Sequence, residues 1–183
     1  MFLHQIFILT TPRMTELGHM NTPVCTAKPP NQCSPSELEE FVAFVLAGGE
    51  VASLGLAERV RKAHSLAYLK VGDCLVGVAG LKLPSEKHRN EVSSGAGINL
   101  SEELFPLELG WVFVLPSARG GKSYRLCEPL VAAANGAGVF ATSRAGNKPM
   151  HSTLEKLGFI RQGGAWPSGQ NPDNLWLFAR NTA

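Results

Sequence analysis

The stretch "ELGWVFVLPSARGGKSYRL", residues 108–126, decides how this chain is to be read. An apolar run over 107–115 ends at Pro116, a turn of small residues follows, and helical spacing begins near Ser123. A strand, a glycine-rich turn and a helix start leave backbone N–H groups free at a helix N-terminus. The helix dipole adds partial positive charge there, and the combination binds phosphate. The sequence therefore predicts a site for a phosphorylated ligand at residues 119–124.

Two ligand classes compete for that turn. A nucleotide loop, G-x-x-x-x-G-K-[ST], finds its last three letters in Gly121, Lys122 and Ser123. Its opening glycine falls on Pro116, whose ring fixes φ and forbids the positive values a glycine adopts. A nucleotide hydrolase also needs a metal-holding Asp at the end of a later strand. The chain has only Asp73 and Asp173, and neither ends an apolar run downstream of the turn. This reading stays as a distant third.

The second class is an acyl-CoA. "VFVLPSARGG" resembles motif A of the GNAT superfamily of N-acetyltransferases, often written R-G-x-G-x-[G/A/S], whose opening Arg119, Gly120 and Gly121 match. Downstream, "GVFATSRAGNKPMHSTLEKLGF", residues 138–159, is similar to motif B: an apolar strand, then Asn147, a helix, and Leu157-Gly158-Phe159. The parts are individually weak, but they come in the family's order and at its spacing. The likeness covers roughly residues 66–180 and is one of layout only before that.

The resemblance implies an acetyl-CoA-dependent transfer of an acetyl group to a primary amine, with no metal. It assigns the backbone of Val112, Phe113 and Val114 to the pantetheine arm and to the oxyanion. It assigns the N–H groups of Arg119, Gly120, Gly121, Lys122, Ser123 and Tyr124 to the pyrophosphate, and Asn147 to the pantetheine. Lys122 and Tyr124 stand where the family has small residues, so a GNAT-fold binding protein that takes CoA weakly or not at all is the alternative. Several GNAT enzymes carry a general-base Glu four residues before the pantetheine-binding position, which here is Glu108. Strand alternation puts 108, 110 and 112 on one face, and apolar neighbours are expected to raise the Glu108 pKa. The family's usual thiolate-protonating Tyr falls on Leu154, which leaves water, His151 or Ser152; His151 reads more simply as a surface residue. Asn147 also reads as a helix N-cap, with Pro149 in the first turn.

The rest of the sequence fits a small enzyme. With 183 residues the chain is long enough for one domain with a sizeable core, and 44% hydrophobic against 17% charged residues excludes disorder. A net charge of +2 is too small to argue by itself for a nucleic-acid partner, and none is evident. The four Cys show no metal spacing and read as thiols in a reducing cytoplasm. Residues 1–22 lack a basic segment before their apolar run, are too short to span a membrane, and are expected to form a flexible extension before a single domain over 23–183. A homodimer stays open.

Spacing predicts strands at 24–27, 66–71, 74–83, 107–115, 139–143, 159–162 and 175–179, and helices from about 38 to 46, 51–63, 123–135 and 148–157. Residues 84–106 read as a long polar loop and 166–174 as a turn-rich link. The expected fold is α/β (α+β), a mixed, mostly antiparallel sheet with helices on both faces in the order βααβββαβαββ.

Overall fold

A computed structural model describes residues 22–169 and 172–181, so all but the last residue of the expected 1–22 extension lies outside them. The elements are β1 (Val24–Lys28), α1 (Pro35–Ala47), α2 (Leu56–Arg61), β2 (Ser65–Val71), β3 (Cys74–Lys82), α3 (Glu86–Ala96), β4 (Leu107–Val114), α4 (Lys122–Ala133), β5 (Val139–Arg144), α5 (Lys148–Lys156), β6 (Ile160–Pro167) and β7 (Asn174–Arg180). They build one seven-stranded sheet in the order β1-β2-β3-β4-β5-β7-β6. Only β4 and β5 pair in parallel.

Side chains of successive strand residues point to opposite faces, and here each face has its own cover. On one side α4 (Leu126, Cys127, Leu130) and α5 (Leu154) bury Ala67, Leu69, Leu107, Leu109, Val139 and Phe178. On the other side α1 and α2 bury Leu66, Tyr68 and Val78, and α3 buries Phe140, Leu177 and Ala179. The mixed sheet with helices on both faces is as expected.

The element order differs in one place. Residues 84–106 contain α3 rather than a bare loop. Ser85 caps it by accepting the His88 N–H at 3.3 Å, and Gly97 ends it at φ +68°. Its buried face includes a charge: Arg89 donates to the Phe105 carbonyl and lies over the Phe140 ring. Where α3 meets β6 it presents Gly95, and a Cβ there would stand 2.6 Å from the Trp166 ring. Elsewhere α2 is shorter than the expected 51–63, because Gly55 takes φ +67° at its N-cap. β6 absorbs Trp166 and Pro167 from the expected link. α4 runs through Pro129 to Ala133 without a break.

Gly138 enters β5 against the backbone of the segment after α3, where an added Cβ would meet the Leu104 carbonyl. Backbone cannot swing aside as a side-chain tip can. Gly138→Ala is therefore expected to destabilise the fold by ~1–3 kcal/mol. The check is a lower denaturant midpoint at unchanged slope.

Candidate active site at the parting of two strands

β4 and β5 pair only at Leu107 with Val139 and at Glu108 with Phe140. Beyond Glu108 the main-chain groups on that side of β4 have no strand to pair with. A bulge accompanies the parting. Val78 pairs with Phe113 but Gly80 pairs with Gly110, so β4 carries one residue more than β3 over this span. Trp111 takes up the excess at φ +53°, a conformation costly for a bulky residue. Two glycines make room: a Cβ on Gly80 would lie 2.5 Å from the Trp111 ring, and one on Gly110 would lie 2.9 Å from Lys82 Cε.

The bulge corrects the expectation of faces. Val112 and Val114 pack with Leu107 and Leu109 on the α4 side, while Trp111 and Phe113 pack toward α1 and α2. Glu108 therefore does not share a face with Val112, because one inserted residue reverses the alternation between them.

The turn after β4 has the local geometry of an anion site. Gly120 and Gly121 hold φ +107° and +69°, and a Cβ on either would meet nothing. Gly121 is the N-cap of α4 and supplies no side-chain acceptor, so the first-turn N–H groups of Lys122, Ser123 and Tyr124 stay unsatisfied. The Arg119 N–H is directed to the Pro116 carbonyl at 3.5 Å. The Arg119 and Lys122 side chains meet no carboxylate among the described residues. Tyr124 lies along its own helix, its hydroxyl donating to Glu128 at 2.9 Å.

The body of α5 stands beside the first turn of α4: the Ser123 and Thr153 hydroxyls are 3.1 Å apart. Asn147 caps α5 by accepting the Met150 N–H at 3.2 Å. At the far end of the gap, Arg144 on β5 pairs with Glu50, just past α1, at 2.8 Å. His151 is buried rather than on the surface. Its Nε2 meets the Arg144 carbonyl at 2.9 Å and its ring packs on Phe178. Leu154 is wholly buried and supplies no acid.

Glu108 sits at the last β4–β5 pair with its side chain 3% exposed. Lys82, its cross-strand partner on β3, brings Nζ to 2.7 Å from Oε1 and to 5.4 Å from the Trp111 ring centroid. His88, in the first turn of α3, places Nε2 3.0 Å from Oε2. That contact is close but poorly aligned, so the buried Nε2 makes no true hydrogen bond. Burial pushes the Glu108 pKa up, but the Lys82 charge and the His88 contact outweigh it and hold the carboxyl down at about 2. The expected rise is thus overturned, because neighbours along β4 say nothing of a lysine and a histidine arriving from β3 and α3. Lys82 and His88 are the two site residues that sequence reasoning missed. For Lys82 a signal existed in the predicted hairpin opposite 107–115. For His88 it required recognising α3.

The low pKa makes a stability prediction. A carboxyl depressed from 4.5 to about 2 in the fold contributes stability that is present above the unfolded value and lost as pH falls through the folded one. The contribution is on the order of 3 kcal/mol. Lys82→Met removes the main charge holding Glu108 down. The variant is expected to be less stable near neutrality and to lose less between about pH 4.5 and about pH 2. Urea midpoints of both proteins across that window check it.

The fold as a whole has counterparts among solved structures. An acyl-CoA N-acyltransferase from Pseudomonas aeruginosa superposes with TM-score 0.62 at 14% identity, covering 87% of this chain and 99% of that one. A GNAT-family acetyltransferase from Streptococcus agalactiae also gives 0.62, at 12% identity over 87% and 96%. NAA60 from Arabidopsis thaliana in complex with acetyl-CoA gives 0.62 at 16% identity over 86% and 99%. The fold is the GNAT fold. No family model matches the chain, and no curated protein matches it in sequence. Among the described residues, no group of three His, Cys, Asp or Glu is placed to hold a metal ion, and no helix is long and apolar enough to cross a membrane.

Proposed function

We propose that the chain transfers an acetyl group from acetyl-CoA to a primary amine, by direct attack of the amine on the thioester, with the general-base function centred on Glu108. The observation that carries the reading is the strand parting. β4 loses its β5 partner directly after Glu108, and the unpaired edge leads into an uncapped helix N-terminus flanked by two cations that have no carboxylate partner among the described residues.

Each part has a task in this reading. The backbone of Val112, Phe113 and Val114 pairs with the pantetheine arm and offers an N–H to the oxyanion. In the turn Arg119, Gly120, Gly121, Lys122, Ser123 and Tyr124, the N–H groups from Gly120 onward take the pyrophosphate, and the Arg119 and Lys122 side chains add charge, the Arg119 N–H being directed to Pro116. Asn147, its Oδ1 already engaged as the cap, has its amide N–H free for the pantetheine. Glu108 stays ionised at the centre of the side-chain cluster that takes the surplus proton of the attacking amine. The departing thiolate takes its proton from water or from the protonated base, since Leu154 cannot give one. The four cysteines are free thiols, which supports a reducing, cytoplasmic setting.

A panel of primary amines with acetyl-CoA, read by thiol release and product mass, tests the reading. Acetylated amine appearing in step with thiol supports it. Thiol release at the buffer rate with every amine contradicts it and favours the second reading, a GNAT-fold binding protein, for which the buried Leu154 is the favouring observation.

A further inference from the structure

An attacking amine needs a proton acceptor that it can touch, and Glu108 alone does not meet that need. Its side chain is almost wholly enclosed, and both oxygens are engaged, by Lys82 and by His88. His88 does meet it. Its Nε2 is buried against Glu108 while the side chain as a whole is 40% exposed. Nδ1 bonds to no described residue and is not enclosed as Nε2 is, so it is the ring nitrogen that solvent can reach. Once that contact aligns, a proton on Nε2 bonds to the carboxylate and the Nδ1 lone pair is free.

The ring is also well held. Ser85 takes the His88 N–H, and α3 is pinned to the sheet by Arg89 at Phe105 and by Trp166 against Gly95. The misaligned Nε2 contact is the kind that tightens when a site fills.

We propose that His88 takes the proton from the acceptor amine, with Glu108 as the carboxylate that positions His88 and Lys82 as the counter-ion to Glu108. The inference rests on the acetyl-transfer reading above. The amine lone pair forms the N–C bond at the thioester carbonyl, and the surplus amine proton passes to His88 Nδ1. The C–S bond breaks with its electron pair on sulfur, which takes a proton from the imidazolium or from water, giving an amide and a thiol.

The charged groups facing His88 are Glu108 from β4 and, across that carboxylate, Lys82 from β3. On α3 itself Lys87 and Glu91 face each other at 4.0 Å. The imidazolium formed in the reaction is thus balanced by Glu108, and the cluster returns to its resting charge when the proton leaves.

Two measurements on the full chain test this. The first is the ring-nitrogen NMR spectrum of neutral His88 in the wild type and in Glu108→Gln. The wild type is expected to carry its proton mainly on Nε2, facing the carboxylate, and the variant to lose that preference; the same tautomer distribution in both overturns the coupling. The second is the pH–rate profile of His88→Gln. The expected result is a kcat lower by about 10²-fold or more, an unchanged KM for acetyl-CoA, and a pH profile of kcat that differs from the wild type's. A variant as fast as wild type with the same pH profile overturns the assignment to His88 and leaves acetyl transfer standing. Absence of acetyl transfer in the wild type overturns both, whatever the ring spectrum shows.

Discussion

Glu108→Gln is expected to lower kcat by roughly 10²–10⁴, the scale of a lost base function, while acetyl-CoA affinity stays within about twofold. Gln has nearly the shape of Glu, so the packing between the α1–α2 and α3 parts of that face survives. It carries no charge, so Lys82 loses its anion and an imidazolium at His88 loses its stabilising partner. Affinity is spared because Glu108 points to the α3 face, while the turn that would take the phosphates lies beyond the far end of β4. The deficit shrinks as pH rises, since the free amine then arrives already deprotonated. The check is a pair of pH–rate profiles across roughly pH 6–9, the span between imidazole and amine titration. Full activity of the variant throughout that span removes Glu108 from the mechanism.

Gly120→Glu is expected to weaken acetyl-CoA binding by about 100-fold or more, or ~3 kcal/mol, without unfolding the protein. A Cβ at Gly120 meets nothing, but φ is +107°, so any side chain there adds local strain of ~1–2 kcal/mol. Gly120→Ala carries that strain alone and serves as the control. The glutamate adds a like charge against the pyrophosphate at the α4 N-terminus, where anions are otherwise favoured. Calorimetric dissociation constants for wild type and both variants separate the effects. Equal affinities for alanine and glutamate would mean that no phosphate sits at this turn.

The legible parts of the sequence were those where local pattern and tertiary role coincide. The apolar run into Pro116, the double glycine and the Asn147 cap each specify a backbone conformation from a few adjacent residues, and the structure shows a turn and a cap there. α3 was missed because its sequence, EKHRNEVSSGA, offers few apolar residues, and its buried face is completed by Arg89 with the carbonyl of Phe105 as partner. The bulge at Trp111 was missed because within β4 only Gly110 hints at it. The room for that ring is made by Gly80, on the neighbouring strand. The Glu108 pKa was read with the wrong sign because burial was visible in the neighbouring leucines, whereas the opposing charges come from residues 26 and 20 positions earlier in the chain, Lys82 and His88. These failures share one cause: each depends on a contact between elements, which periodicity along one element does not record.

The central claim, that this GNAT fold is built to hold acetyl-CoA, is tested most directly by isothermal titration of the chain with acetyl-CoA, with CoA and with ATP. The expected result is saturable one-to-one binding of acetyl-CoA and CoA, abolished in Gly120→Glu, with no heat from ATP. Binding of ATP alone, or of none of the three, would contradict the account.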